Sequence, residues 1–475
     1  MTRAESSHVN WRRRLEPALL ILIHLMVWGY VAQILLRPED GWAFYFSFLS
    51  MLMLPLAMIW LKGWYRLISA VFLLAGFLLL WQGQIPFSDV WRFFGSTTSI
   101  LSLLILAPFF SIPITLGAYH RSALLIVRGR VRKPQSTYFV LSALTYMLAT
   151  LMNVAAIVAS YTTLNHLTRS FPKDVSEKIN DAAYCRGHSL AMIWSPVGAT
   201  LGVALARVPA DPGTVIAAGL IFSVAMLFLD AWVMKRRIRG NDIDAKPFST
   251  PQTKIPISVG HWRKMGVFCG VIVIFVVGVI ALHEMLSMPV IDAVILLILF
   301  LSLFWALCLR KPERLKQELW DKGSRGNLRL LPQMMLFISV GFFTQALAAS
   351  GLLDPLAEVV AHWSATFGWL LILLVVFLAT VASQIGLFPV LIVMLLADLV
   401  PYQAMHLRPE WFAFAIAAGS VGGVSASPLT LNVNLVATLM QRDPRLVARV
   451  NWPFAVVMFL AVGMVTVILS LLFPA

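Results

Sequence analysis

Apolar runs of about twenty residues recur from one end of this sequence to the other, and that is the length a helix needs to cross a hydrocarbon layer about 30 Å thick. In such a layer every backbone polar group must be satisfied within its own segment. The chain is therefore expected to be an all-α polytopic membrane protein. Only 12% of its residues are charged and 59% are hydrophobic, whereas about a quarter are charged in a soluble domain. Basic residues outnumber acidic ones, 37 to 22. No basic segment is long enough to form a nucleic-acid-binding domain, so the excess marks cytoplasmic loops. Cys185, Cys269 and Cys308 fit neither a metal spacing nor a disulfide frame.

The Lys/Arg distribution predicts the order of spans. Arg3, Arg12, Arg13 and Arg14 precede the first apolar run with no small-residue cleavage site, so that run reads as an uncleaved first span entered from the cytoplasm. Spans at 17–36, 42–60, 66–82 and 97–118 lead to the strongest basic stretch, Arg121, Arg128, Arg130, Arg132 and Lys133. The alternation then breaks. Segment 137–165 is followed by Arg169, Lys173, Lys178 and Arg186, and the spans 190–209 and 213–235 end at Lys235, Arg236, Arg237 and Arg239. Segment 137–165 must then begin and end on the cytoplasmic side, as a re-entrant hairpin turning near Asn153. A polar linker occupies 240–262, and spans follow at 264–284, 288–309 and 331–350. Stretch 367–400 would measure about 50 Å as one helix, too long for a single crossing, and Gly386 and Pro389 interrupt it. It reads as a second hairpin, entered from outside, turning at 383–389. Spans at 411–440 and 452–473 close the chain.

The expectation is about 11 transmembrane helices plus two re-entrant hairpins in an inverted repeat, in the inner (plasma) membrane, with a cytoplasmic N-terminus and an external C-terminus. Residues 1–96 form N-terminal scaffold helices. Residues 97–239 form a first repeat with hairpin 137–165 and broken helix 190–209. Residues 263–475 form a second repeat with hairpin 367–400 and broken helix 411–440.

Short motifs support the duplication. SPVGATLG at 195–202 is echoed by SPLTLNVN at 427–434. Ser195-Pro196 and Ser427-Pro428 are each followed 16 positions on by Asp-Pro, at Asp211-Pro212 and Asp443-Pro444. Upstream, Leu148, Ala149 and Thr150 recur as Leu378, Ala379 and Thr380. Paired Gly/Pro-interrupted apolar segments in two halves are a sequence pointer to a transporter binding site. With this order of spans, hairpins and broken helices, the chain resembles the ion transporter superfamily, and within it the divalent anion/sodium symporter architecture. The resemblance covers most of residues 97–475. It implies that the hairpin tips, Met152-Asn153-Val154 and Ser383-Gln384-Ile385, meet the broken spans near the midplane. Sodium-coupled members carry Ser-Asn-Thr at these tips.

A helix broken at mid-depth frees carbonyls that can hold a small cation and N–H groups that favour an anion. Pro196 and Pro428 each remove a donor. Ser195, Thr200, Ser425, Ser427, Thr430, Asn432 and Asn434 supply hydroxyls and amides there, and Asn153, Ser383 and Gln384 supply them at the tips. These are the candidate substrate-binding residues. Intramembrane acids are scarce. Asp230, expected to pair with Lys235 near the cytoplasmic surface, and Asp398 are the coupling candidates. His24 lies in the first span, outside the repeat, and reads as structural.

The leading reading is a secondary transporter of a small anionic or polar solute, working by elevator-like movement, with sodium the coupling ion and no other cofactor. A homodimer in the lipid bilayer is the expected assembly. A proton-coupled carrier or exchanger, a channel, and a membrane enzyme or lipid-handling protein stay open as alternatives. An ATP-driven pump is disfavoured, since no GxxxxGK[ST] loop is present. In a cysteine-free background, a single cysteine at position 178 should resist an impermeant thiol reagent on intact cells, and one at position 358 should react. Labelling of position 178 from outside would remove the inward hairpin and the inverted repeat with it.

Overall fold

A computed structural model describes residues 3–36, 42–61, 63–127, 133–169, 171–239, 258–323 and 327–474. Most of the linker read at 240–262, and the basic positions 128–132, lie outside the described residues. Those described are helical, with no strand among them. Ten of their helices are long and apolar enough to cross a membrane. The chain divides into two compact units. One comprises Met1–Phe109 and Lys311–Val360, the other Phe110–Arg310 and Ala361–Ala475.

The first unit holds the spans Leu15–Leu36, Trp42–Trp60 and Trp64–Gln82, the amphipathic Pro312–Asp321 helix and the Asn327–Ala349 helix. The Trp64–Gln82 and Asn327–Ala349 helices pack along one another. Phe342 sits between Phe94, at 4.4 Å between ring centroids, and Phe77, at 4.8 Å. Such ring pairs add to what area burial alone contributes.

In the second unit, two sets of five helices follow the same order. The first set is α1 (Pro134–Met152), α2 (Ala155–Leu164), α3 (Lys173–Met192), α4 (Ala199–Arg207) and α5 (Pro212–Arg239). The second is α6 (Trp369–Gln384), α7 (Pro389–Leu399), α8 (Pro409–Gly422), α9 (Leu431–Met440) and α10 (Pro444–Leu472). Each set is a helix–turn–helix pair, an interrupted pair and a long closing helix. One apolar core joins them: Tyr138, Leu141, Ile157, Ile179 and Ala182 from the first set pack with Val433, Val436, Val447 and Ala448 from the second.

Local sequence explains where these helices begin and end. The Asp-Pro pairs are starts of closing helices. Asp211 Oδ2 accepts from the Thr214 amide at 2.6 Å, and Asp443 Oδ1 accepts from the Arg445 amide at 2.8 Å. A proline follows each cap at the first helical position, where its missing N–H would be unpaired anyway. α1 ends at Asn153, whose φ is 49°, and Asn is among the few non-glycine residues that adopt a positive value readily. The second turn uses Gly386 at φ 90°, followed by Pro389 at the start of α7.

The stretch 190–209, expected as a broken helix, is interrupted, but the interrupted pair begins well before residue 190. Its N-terminal part belongs to α3, which starts at Lys173, and residues 193–198 separate it from the nine-residue α4. Residues 179–192 are all buried, so the C-terminal part of the stretch 167–185, expected to be a cytoplasmic loop, is interior helix. Positive charge alone cannot distinguish a loop from a polar helix covered by other helices. The second interruption lies within the expected 411–440 segment, at residues 423–430.

Two close approaches depend on glycine. A Cβ on Gly187 would lie 2.5 Å from the Ser142 carbonyl oxygen, and one on Gly423 would lie 2.0 Å from Ser383 Oγ and 2.5 Å from the Thr380 carbonyl oxygen. Gly187→Ala and Gly423→Ala should each destabilise by about 1–3 kcal/mol through overpacking. Gly270 has nothing within 4 Å, so Gly270→Ala should leave stability unchanged or slightly raised. Unfolding of the purified variants in detergent measures all three.

Candidate functional site

The two helix–turn–helix tips are bonded to the two interruptions in matching fashion. Ser195 Oγ donates to the Thr150 carbonyl at 2.6 Å, one turn before the first tip. Ser427 Oγ donates to the Gln384 carbonyl at 2.7 Å, at the second tip. The serine of each Ser-Pro pair thus ties its interruption to its own hairpin. The repeated threonines behave alike too: Thr150 Oγ1 donates to the Tyr146 carbonyl at 3.1 Å and Thr380 Oγ1 to the Val376 carbonyl at 2.8 Å. The second tip is fastened further by Gln384 Nε2, which donates to the Gly423 carbonyl at 3.1 Å. Ser383 Oγ donates back to the Thr380 carbonyl at 2.8 Å.

Several other candidates brace the second interruption internally. Thr430 Oγ1 donates to the Val424 and Ser427 carbonyls at 2.7 and 2.8 Å, and Asn434 Nδ2 to the Pro428 and Thr430 carbonyls at 2.7 and 2.8 Å. Pro196 and Pro428 sit inside the interruptions, where neither continues a helix. Asn432 bridges the sets, its Nδ2 lying 3.5 Å from Ser189 Oγ on α3. Asn153 Oδ1 faces His188 Nε2 of α3 at 3.2 Å. Among the described residues, the buried polar atoms with no hydrogen-bond partner include His188 Nδ1, Thr200 Oγ1 and Ser425 Oγ, beside the tips and interruptions. A buried donor left unmade costs more than a typical hydrogen bond contributes, so a polar ligand fits these positions chemically.

α3 carries charges that sequence reading assigned to a loop. Arg186 is 2% exposed, with its Nη1 2.7 Å from Asp230 Oδ1, its Nε donating to Asn451 Oδ1 at 2.8 Å and its Nη2 to the Val450 carbonyl at 2.9 Å. Tyr138 Oη donates to the other oxygen of Asp230, and the Phe454 ring lies 5.1 Å from the guanidinium carbon. Asn451 Nδ2 continues to the Asp181 carbonyl at 3.2 Å. The Asp181 carboxylate takes Arg442 Nη1 at 2.6 Å, and Arg442 Nη2 lies 3.3 Å from Glu177. The chain of bonds runs from α1 and α5 through α3 to α10 and so crosses from one set to the other.

This corrects the expected pairing of Asp230 with Lys235. Residues five apart on a helix do not share a face, whereas those three or four apart do, and Asp230 turns inward to Arg186. Asp398, near the end of α7, lies 3.5 Å from Arg207 at the end of α4, a further ion pair between the sets. Sequence reading missed Asp181, Arg186, His188, Arg442 and Asn451. One signal was present: Glu177 and Asp181 stand four apart, on one helical face. Their partner Arg442 comes from a distant stretch that no local pattern links to them.

Apolar spans around two hairpin tips and two interrupted helices make this a multi-pass membrane protein with the fold of known membrane transporters. The YdaH transporter of Alcanivorax borkumensis is similar over 85% of this chain and 98% of its own, with a TM-score of 0.57 at 16% identity. MtrF of Neisseria gonorrhoeae, described as illuminating a class of antimetabolite efflux pumps, is similar over 84% of this chain and 94% of its own, with a TM-score of 0.52 at 12% identity. No protein-family model matches the sequence, and no curated protein matches it.

Arg186→Met removes the partner of a buried carboxylate and should destabilise the protein by about 3–5 kcal/mol. Arg186→Met combined with Asp230→Asn should recover part of that loss. Unfolding of both variants, with the single Asp230→Asn completing the cycle, gives the coupling between the two residues.

Proposed function

We propose that this chain is a secondary transporter moving a small anionic or polar solute across the cytoplasmic membrane, with two re-entrant hairpins and two broken helices forming the moving body. The observation that carries the reading is the matched anchoring of the interruptions, Ser195 to Thr150 and Ser427 to Gln384. Interrupted helices free backbone groups at mid-depth, and such irregularity is tolerated only where protein or a cavity covers it. The transporter fold supports the same class, and the divalent anion/sodium symporter plan remains the finer form of this reading.

The solute site lies where the tips meet the interruptions. Asn153, His188, Thr200, Ser425 and the Ser189–Asn432 pair are its most available polar groups. Serines and amides that already bond to backbone carbonyls, such as Ser427, Thr430 and Asn434, hold its shape. Helix starts at α4 and α9 favour negative charge by roughly 0.3–1 kcal/mol each at exposed sites, so an anion is better accommodated than a cation. The coupling candidates Asp230 and Asp398 are engaged by Arg186 and Arg207. This reading takes sodium held by freed carbonyls as the coupling ion, with protons as the alternative. Outward movement of an antimetabolite-like solute is a second reading, favoured by the fold shared with MtrF.

The experiment starts with a thermal-shift screen of candidate solutes on purified protein. The hit is then followed as counterflow in proteoliposomes, and as uptake under an imposed sodium gradient and then a proton gradient at fixed potential. Counterflow should be present, and Asn153→Ala and Ser383→Ala should reduce it with expression near normal. A lost hydrogen bond of about 1 kcal/mol corresponds to roughly a fivefold change in binding. Wild-type rates in both variants would move the site away from the tips. Uptake driven by protons alone and abolished by Asp398→Asn would assign the coupling to the second hairpin.

A further inference from the structure

The first unit contains a groove of about 1090 Å³ that no part of the transport reading uses. Its walls come from Leu20 and His24 of the first span and from most of the Pro312–Asp321 helix, including Arg314, Leu315, Lys316 and Trp320. Leu315 is buried, whereas Arg314 and Lys316 are exposed and Trp320 is 73% exposed. Lys316 and Trp320 stand four apart, so they share one helical face. Glu318, paired with Lys322 at 3.7 Å, does not line the groove, and Glu313 is the one acid among the lining residues. His24 Nδ1 is hydrogen-bonded to the Leu20 carbonyl at 2.7 Å.

We propose that this groove binds an anionic membrane phospholipid, with an acyl chain along Leu20 and Leu315 and the phosphate beside Lys316 and Arg314. Three observations fix the occupant. Leu20 lies about 7 Å and His24 about 13 Å from the start of the span Leu15–Leu36 at 1.5 Å per residue, so the groove runs from near the end of an apolar span toward its middle, as an acyl chain would. A short amphipathic helix with an exposed tryptophan and basic residues suits the headgroup end of such a groove, since Trp and Lys/Arg gather at the interface. The volume reaches that of drug-sized ligand sites, usually about 300–1,000 Å³, so it is far larger than a free phosphate needs and matches a headgroup with part of a chain. Basic residues next to spans on the cytoplasmic side attract anionic lipid, and Arg310 and Lys311 immediately precede this helix.

The test uses the intact purified protein in mixed micelles with brominated lipids. The quenching assigned to Trp320 is the difference between wild type and Trp320→Phe. Brominated phosphatidylglycerol should quench it at a mole fraction about fivefold or more below that needed for brominated phosphatidylcholine. Lys316→Gln with Arg314→Gln should abolish that preference, and both side chains are exposed, so folding is expected to survive and is checked by thermal unfolding. Equal quenching by the two lipids overturns the proposal, as does a preference that persists in the double variant. No quenching by either lipid also overturns it, because the groove would then be filled by protein. Inorganic phosphate should leave the quenching unchanged, and competition by it would assign the site to a free anion instead.

Discussion

A guanidinium buried to 2% exposure governs the second unit. Taking a charge out of water costs several kcal/mol even after relaxation, and only close pairing with further hydrogen bonds offsets it. Arg186 has both: the Asp230 carboxylate, the Asn451 amide, the Val450 carbonyl and the face of Phe454. Without them α3 could not lie in the interior, because its sequence is that of a solvated helix. α3 in turn packs along α1, presents His188 to the first tip, and ends at the first interruption. The placement of the candidate site therefore follows from the pairing of charges some distance from it.

The same bonds tie the two sets of helices together. Asn451, Arg442 and Val450 belong to the second set or its approach, and Arg186, Asp181 and Asp230 to the first. The pair between Arg207 and Asp398 adds a link near the far ends of α4 and α7, and the shared apolar core adds another. Buried ion pairs do not by themselves argue for stability. They do penalise any movement that separates the partners, since separation strands a buried charge. On this physical ground we read the hairpins and interrupted helices as a single moving body.

Much of the frame was legible in the sequence. Apolar length marked about eleven spans where ten helices are long and apolar enough to cross a membrane, and the Asp-Pro pairs, read only as a sign of duplication, are the starts of α5 and α10, the latter eight residues before the expected 452. The turn at Asn153 and the one at Gly386 were legible because turn residues act locally. α3 was not. Lys173, Lys178 and Arg186 carry the same signal whether they face water or carboxylates, and their partners are set by packing between remote stretches. Among the site candidates, residue type predicted a polar seam but not its division of labour. Ser195, Ser427, Thr430 and Asn434 are spent on backbone carbonyls, a habit of short polar side chains, whereas His188 is available and was overlooked because its segment read as a loop.

The claim that the two repeats travel together is tested most directly by joining them covalently. Arg207→Cys and Asp398→Cys, introduced together in a cysteine-free background, remove both members of one ion pair between the sets. The cysteines can be linked with a short bifunctional thiol reagent after reconstitution. Counterflow of the solute found in the screen should proceed in the linked protein at the rate of the unlinked double variant. Loss of counterflow on linking, with the unlinked variant active, would contradict the account, because the repeats would then have to move against each other.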